Sequence, residues 1–391
     1  MERFDVVIVG GAVVGSAAAY FLSAHPGFTG SVLVLEADPS YASCATTRSL
    51  ASIRHQFSTP GNIRMSQFGS RFIEQASEWL AVDGVAPDVG FHAAGYLFLA
   101  SADGLAALQA NHGVQRQCGV DVALLDRQAL ALRFPWLHTQ DLAAGSLGLS
   151  GEGWLDAHSL MHALRRKAIA QGVVYRGARV AQLRRQGERI TAVQLQDGSE
   201  VACGAVVNAA GTGAAALAAT AGIDLPVQSR KRCVFFFHSP AQLLHSHLVI
   251  DPGGVYFRPE GAGFLCGVAL PQDQDPECFD FEVQHALFED TIWPALAHRV
   301  PGFEALRVQH SWAGHYDVNT LDQNLILGAH PAVSNLLFAN GFSGHGLQQS
   351  PAVGRALAEL LVAGRFETLD LSAFGWQRVI DGRPMREINV V

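Results

Sequence analysis

Two short glycine-rich runs, one near each end of the 391-residue chain, have the residue types and spacing to do chemistry. The first is Gly10-Gly11-Ala12-Val13-Val14-Gly15, with a carboxylate, Glu36, 21 residues after Gly15. Gly10 permits a tight turn, and Gly15 lets a following helix pack close to the strand before it. The helix start then points backbone N–H groups and a partial positive charge at a pyrophosphate. Glu36 stands where an acid accepts hydrogen bonds from a ribose diol. Ala12 occupies the place of the second glycine in the usual pattern, so a methyl group faces the pyrophosphate. The second run is Gly341-Phe342-Ser343-Gly344-His345-Gly346-Leu347, with three glycines in six residues ahead of a helix. It forms a second place where N–H dipoles converge on negative charge.

The elements that must position these runs follow from the apolar pattern. Asp5–Val9 is a β-branched run of the kind buried on both faces of a parallel sheet. Ser16–Ala24 reads as a small-residue helix and Ser31–Leu35 as a second strand, completing a βαβ unit. Val173–Leu183 and Ile190–Leu195 read as a hairpin, and Val206–Gly211 as a buried strand running into a glycine turn. Asn335–Ala339 is a further strand, leading through the second glycine run to a helix over Ser350–Ala363. The front turn alone does not separate NAD from FAD. The rear turn favours FAD, because a helix end suits the N1–C2=O edge of a flavin, which becomes anionic on reduction.

Composition narrows the classes. Hydrophobic residues make up 49% of the chain and charged ones 16%, which excludes a disordered chain and implies an extensive interior. The formal net charge is −8 and no basic block is present, which argues against nucleic-acid binding. The six cysteines (Cys44, Cys118, Cys203, Cys233, Cys266, Cys278) contain no CxxC pair and read as reduced thiols. The N-terminus leads directly into a strand and turn, and no apolar run reaches the roughly 18 residues of a membrane span. A cytoplasmic location with no transmembrane segment is the expectation.

The motifs in this order resemble the D-amino-acid-oxidase-like FAD oxidoreductases, the group containing sarcosine oxidase, glycine oxidase and D-arginine dehydrogenase. The resemblance rests on GGAVVG, Glu36, the Thr46-Thr47-Arg48-Ser49 loop, VVNAAG at 206–211 and GFSGHG at 341–346. Phe134-Pro135-Trp136, Glu152-Gly153-Trp154, Pro226–Arg232, Ser311–Gly314 and Gly341–Gln349 are similar, more narrowly, to the subgroup called FAD-dependent oxidoreductase domain-containing protein 1. The resemblance implies an α/β fold: a Rossmann-like FAD-binding domain with an inserted antiparallel-sheet substrate domain of α+β type. It implies a discontinuous FAD domain over 1–80, 145–222 and 320–391, with 81–144 and 223–319 forming the substrate domain. Arg232–Phe237, Leu248–Ile250, Val255–Arg258 and Phe264–Val268 read as strands of the latter, Asp251–Gly254 as a hairpin turn, and Glu282–Leu296 as a helix.

The reaction implied is hydride transfer to flavin N5 from a C–H bond next to an amine, so the partners are a small amine or amino-acid substrate and an electron acceptor. The resemblance places Arg54 on the substrate carboxylate, a role that suits a planar cation. It implies substrate contacts for Tyr256, Arg258 and Tyr316, and a flavin-facing His345 at the rear turn. Alternation puts Tyr256 and Arg258 on one face of their strand, and Arg232 is a further candidate for the carboxylate. The implied cofactor set is Gly10, Gly11, Ala12, Val13, Val14, Gly15, Glu36, Ala37, Ala45, Thr46, Thr47, Arg48, Ser49, Val180, Ala209, Ala210, Gly211, His315, Gly341, Phe342, Ser343, Gly344, His345, Gly346, Leu347 and Gln348. His315 stands where sarcosine oxidase carries its flavin-linking cysteine, so noncovalent FAD is expected. The strand Phe264–Gly267 lacks the lysine with which sarcosine oxidase promotes reaction with oxygen. A dehydrogenase passing electrons to a quinone or other acceptor is therefore expected rather than an oxidase.

Two other readings remain open at this stage. One is a flavin-bearing assembly or interaction protein of a respiratory complex, since a eukaryotic relative is associated with complex I assembly. The other is a 2-hydroxy-acid dehydrogenase on the same fold, with His55, His315 or His345 as the base. No metal is expected: His158 and His162 share a helix face, but no third ligand is near them in sequence. Ser343 does not sit in GxSxG, so a hydrolase is not supported.

Overall fold

The computed structural model describes residues 1–388. Its strands fall into two large sheets. The first runs in the order Ile326–His330, Val333–Asn340, Glu200–Asn208, Glu2–Val9, Val32–Glu36, Val174–Gly177. The four pairings from Val333–Asn340 onward are parallel. The hairpin Val180–Gln186/Arg189–Leu195 joins this sheet by antiparallel pairing to Glu200–Asn208. The strands Glu2–Val9 and Val32–Glu36 are apolar throughout their inner length, as burial on both faces requires.

Helices Val13–Ala24, Ala157–Ala170 and Gly346–Ala363 cover one face of this sheet, and their apolar residues share one core with Val6, Ile8, Val32 and Val34. The first helix begins at Val13 and the last at Gly346, each earlier than hydrophobic periodicity alone predicts. In the last, Pro351 has no N–H to offer the Leu347 carbonyl, and the Ser350 hydroxyl donates to that carbonyl at 2.9 Å instead. Close approach is bought with missing side chains. A Cβ on Gly354 would lie 2.6 Å from the Ala17 backbone carbon, and one on Gly69 would lie 2.1 Å from the Gln348 carbonyl oxygen.

The second sheet runs Arg307–Asn319, Val227–His238, Gly263–Gly267, Tyr256–Glu260, Leu248–Ile250, Tyr96–Ala100, Ala144–Gly148, Val122–Asp126. It is antiparallel except where Leu248–Ile250 pairs parallel with Tyr96–Ala100. Asp251–Gly254 is the hairpin turn, closed by the Gly254 N–H on the Asp251 carbonyl. Three expectations need correction. Val173–Leu183 is not one hairpin strand: Val174–Gly177 pairs parallel with Val32–Glu36, and the hairpin strand is Val180–Gln186. The break placed at residue 145 falls inside the strand Ala144–Gly148, which is paired on both sides within the second sheet. The single helix over Glu282–Leu296 is instead one turn at His285–Leu287, a π turn at Phe288–Ile292 and a helix at Trp293–Arg299. Pro294 explains the fresh start, because proline suits a first helical turn and not an interior one.

The contact at Gly354 makes a testable prediction. Gly354→Ala lowers the urea midpoint, by about 1–3 kcal/mol of stability, because the Ala17 backbone cannot yield as a side chain would. Gly113→Ala, on an exposed helix position with open space around it, raises stability by about 0.5–1 kcal/mol.

Candidate functional site

The C-terminal ends of the parallel strands and the strand Arg307–Asn319 enclose a cavity of about 400 Å³. Of the expected cofactor residues, Gly10, Ala12, Val13, Val14, Glu36, Ala37, Ala45, Thr46, Ser49, Val180, Ala209, Ala210, Gly211, His315, Phe342, Gly344, Gly346 and Leu347 line it. Gly10 has φ +99°, and a Cβ there would lie 2.3 Å from the Ala209 carbonyl oxygen, so only glycine fits the turn. Gly15 acts from behind the wall, its Cα facing the Gly10 carbonyl, where a methyl would clash. Gly11 donates its N–H to Glu36 at 2.7 Å and so aims that carboxylate.

The loop beyond Ala45 divides its work. Val13 donates to the Thr46 hydroxyl at 3.4 Å, while the Thr47 hydroxyl donates to the Tyr41 carbonyl at 2.6 Å. Arg48 faces away from the cavity. It donates to the carbonyls of Ala42 and Ala313, both at 2.8 Å, and fastens the loop to the second sheet. At the rear turn the buried Asp317 carboxylate accepts the N–H of Gly341 at 2.7 Å and of Phe342 at 3.4 Å. Burial pushes its pKa up to about 6. The donor set fits FAD: a glycine cradle at one end, unpaired helix-start N–H groups at the other. Between them the buried His315 Nε2 has no partner among the described residues.

A second, smaller pocket of about 100 Å³ adjoins the first through Ser49, Tyr316, Gly344 and Leu347. Arg54, Tyr256, Tyr316, Ser343, His345 and Gln348 line it, so four of the five expected catalytic residues meet there. Arg258 does not. Its guanidinium donates to the Leu50 carbonyl at 3.0 Å, pairs with Glu260 and faces a cleft on the other side of residues 49–51. Arg232 is held by Asp275 at 2.9 Å.

Arg54 is 5% exposed and stacks over Phe57, with its guanidinium carbon 4.3 Å from the ring centroid. Its N–H is accepted by Gln348 at 2.8 Å, Nη1 donates to the Gln56 carbonyl at 3.3 Å, and Nη2 lies 3.0 Å from His345 Nε2. An arginine only donates, so His345 accepts at Nε2 and carries its proton on Nδ1. Burial and the Arg54 charge push the His345 pKa down to about 3. Neutral at working pH, with that lone pair engaged, His345 orients Arg54 rather than moving protons at Nε2.

Some of the site was invisible in sequence. Tyr96, Ser52, Leu248 and Ile250 also line the small pocket. The strand alternation of Tyr96–Ala100 was a signal that could have pointed to Tyr96. Glu152, quoted only as part of a motif, is 1% exposed and accepts the N–H groups of His55 at 2.6 Å, Gln56 at 3.2 Å and Tyr96 at 3.2 Å. The Gln56 amide adds a fourth bond at 2.9 Å. His55 is occupied with the Ser70 hydroxyl at 2.7 Å, outside both cavities. His158 and His162 form an exposed pair on their helix, 3.0 Å apart.

Glu152 also carries a pH signature. Burial pushes its pKa up to about 7 from an ordinary 4.5, so the fold favours the protonated carboxyl and ionisation costs stability. Its contribution is complete below the ordinary value and is lost as pH rises through about 7. His55 and His345, whose pKa values burial lowers, act with the opposite sign at lower pH. Between about pH 4.5 and 7 the urea midpoint of the wild type should therefore lose ground relative to Glu152→Gln, which cannot titrate, even though that variant is less stable throughout. Equal slopes would refute the assignment.

The comparisons with known proteins agree with this geometry. FAD-dependent oxidoreductase domain-containing protein 1 of Xenopus laevis is 43% identical over 427 residues, covering 100% of this chain and 85% of that protein. Glycine oxidase of Geobacillus kaustophilus is 29% identical, covering 97% of this chain and 98% of that protein. The crystal structure of L-proline dehydrogenase from P. horikoshii shares the fold, with a TM-score of 0.86 at 23% identity over 98% of this chain and 100% of that one. The family described as FAD dependent oxidoreductase, DAO, whose proteins bind FAD, matches residues 5–360. With the front glycine cradle, the rear turn and the cavity between them all inside that span, the chain belongs to the DAO family of FAD-dependent oxidoreductases.

Proposed function

We propose that the chain holds FAD noncovalently in the larger cavity and oxidises the CH–NH bond of a small amino acid or N-substituted amino acid in the smaller one. In this reading 1–80, about 149–222 and 320–391 serve the cofactor, and the remaining segments roof the substrate. The observation that carries it is that the buried Arg54 guanidinium lacks a carboxylate partner among the described residues. Among the described residues no carboxylate lies within 4 Å of it, whereas Arg232 and Arg258 each have one. A buried cation without a counter-ion is costly, and a substrate carboxylate supplies what is missing.

Of the five N–H groups of its guanidinium, two are used within the protein, which leaves three for the ligand. The phenols of Tyr96, Tyr256 and Tyr316, all held protonated by burial, can donate to the same carboxylate. Bound flavin supplies the hydride acceptor at N5. The chain's part is to hold the substrate still, to exclude water with Leu248, Ile250 and Leu347, and to keep the amine neutral beside the Arg54 charge. A hydroxy acid would need a base for its alcohol proton. His345 directs Nε2 at Arg54, His55 lies outside both cavities, and His315 lines the cofactor cavity and not the smaller pocket, which weighs against that reading. An assembly protein with structural FAD has no use for an unmatched buried cation.

The two lysines support a dehydrogenase. Lys167 donates to the Ala81 carbonyl and Lys231 pairs with Asp280, both at 2.8 Å or less, and neither lines the pocket. During turnover with its substrate, peroxide should therefore form far more slowly than an artificial dye is reduced. Rates that match would reverse the assignment to oxidase.

Anaerobic addition of candidate amino acids and N-alkyl amino acids should bleach the flavin band near ~450 nm, a general property of reduced flavin. Arg54→Ala should stay yellow while kcat/KM for bleaching falls about 100-fold or more, the size expected when a buried charge pair loses one partner. A colourless Arg54→Ala protein would instead place Arg54 on the cofactor.

A further inference from the structure

The cleft that Arg258 faces is not used by the reaction as described. It measures about 940 Å³, within the range of small-ligand sites (~300–1,000 Å³), and lies across residues 49–51 from the substrate pocket. Its walls are aromatic. His92 stacks on Trp154, centroids 6.2 Å apart at 30°, and His310 stacks on Phe236, centroids 6.3 Å apart at 18°. Trp312 completes the lining. Arg258 is 3% exposed, sits 5.1 Å over the Trp154 ring, and its Nε has no partner among the described residues.

Two features decide what such a cleft can hold. Flat ring faces, imidazoles and an unsatisfied guanidinium N–H suit a planar ring bearing carbonyl oxygens. Asp156 and Glu260 also face the cleft and disfavour an anion, while Arg258 disfavours a cation, so a neutral ligand suits it best. Position gives the third clue. Ser49 lines the cleft, the cofactor cavity and the substrate pocket alike, and Ala51 lines both the cleft and the substrate pocket. A single stretch of backbone therefore separates all three. The substrate pocket, at about 100 Å³, has no room for a second ring beside a bound amino acid.

We propose that this cleft docks a neutral quinone, the electron acceptor of the enzyme. The proposal rests on the reading that substrate reduces the bound FAD, and it adds where the electrons leave. Over one cycle the neutral amine loses two electrons and two protons to become the imine. The quinone gains both electrons and both protons to become the hydroquinone. Water then hydrolyses the imine outside this step.

The test uses FAD-loaded protein reduced anaerobically with dithionite, so that it does not depend on knowing the amine. Mixed with a short-chain ubiquinone, the wild-type flavin should reoxidise at a rate that saturates with quinone concentration. Phe236→Ala, at a half-buried position, and His310→Ala, at an exposed one, both lie away from the cofactor and should raise the half-saturating concentration about 10-fold or more. Their reoxidation by ferricyanide, which needs no ring site, should stay unchanged. Arg54→Ala should keep wild-type saturation. A linear dependence on quinone, wild-type saturation in Phe236→Ala and His310→Ala, or loss of it only in Arg54→Ala would overturn the proposal. If no amine bleaches the flavin but the quinone still saturates, the substrate reading fails and the docking site stands.

Discussion

The Glu152 carboxylate, buried to 1% exposure, receives four hydrogen bonds from three separate pieces of backbone and side chain. Each donor comes from a group that would otherwise be stranded in the interior: the N–H groups of His55 and Gln56 next to Arg54, the N–H of Tyr96 at a strand start, and the Gln56 amide. Desolvation opposes the ionised carboxylate and the donors favour it, and the raised pKa records that desolvation wins narrowly near neutrality. The space is filled so closely that a Cβ on Gly148 would overlap this carboxylate. The segment bearing Arg54 is thus anchored by a residue almost a hundred positions later. Gln348, from the last third of the chain, receives the Arg54 N–H from the other side. A few tenths of an ångström in this clamp matter, because they set how far the Arg54 cation stands from the cofactor cavity.

Arg54 and His345 form one unit. The imidazole accepts from the guanidinium, the Phe57 ring packs edge-on to the imidazole at 5.0 Å, and the guanidinium lies over the Phe57 face at 4.3 Å. Because His345 opens the helix Gly346–Ala363, the same turn that points N–H dipoles at the larger cavity also orients the cation in the smaller one. The two cavities are coupled by construction, through one turn of backbone rather than through a mobile element.

How legible this was in the sequence depended on how local the chemistry is. The front turn could be read because strand, turn, helix and acid follow each other within about thirty residues, and local spacing alone dictates where N–H groups point. The rear turn was readable for the same reason. Glu152 was not, since nothing near it in sequence shows that His55 and Tyr96 will arrive at its oxygens. Arg258 shows the limit of strand alternation. It does share a face with Tyr256, but Ser49–Ala51 crosses that face between them, so one side chain meets the substrate pocket and the other the cleft. Arg48 was a plausible phosphate ligand by type, and its real partners, the carbonyls of Ala42 and Ala313, are fixed only by how the two sheets meet.

The wall between the pockets is strained in a way that fits its position. Ala51 and Ser343 both adopt left-handed backbone, φ +56° and +53°, without being glycine, and both line the smaller pocket. Such conformations cost on the order of 1–3 kcal/mol each and persist only where the surroundings over-determine them. At Ser343 the hydroxyl meets the Asn319 N–H at 3.1 Å and the Gly341 carbonyl at 3.2 Å. At Ala51 the carbonyl accepts the Leu155 N–H at 2.9 Å, and the neighbouring Leu50 carbonyl accepts from Arg258. The Glu152 clamp on one flank and the Arg258 contact on the other hold this wall in place.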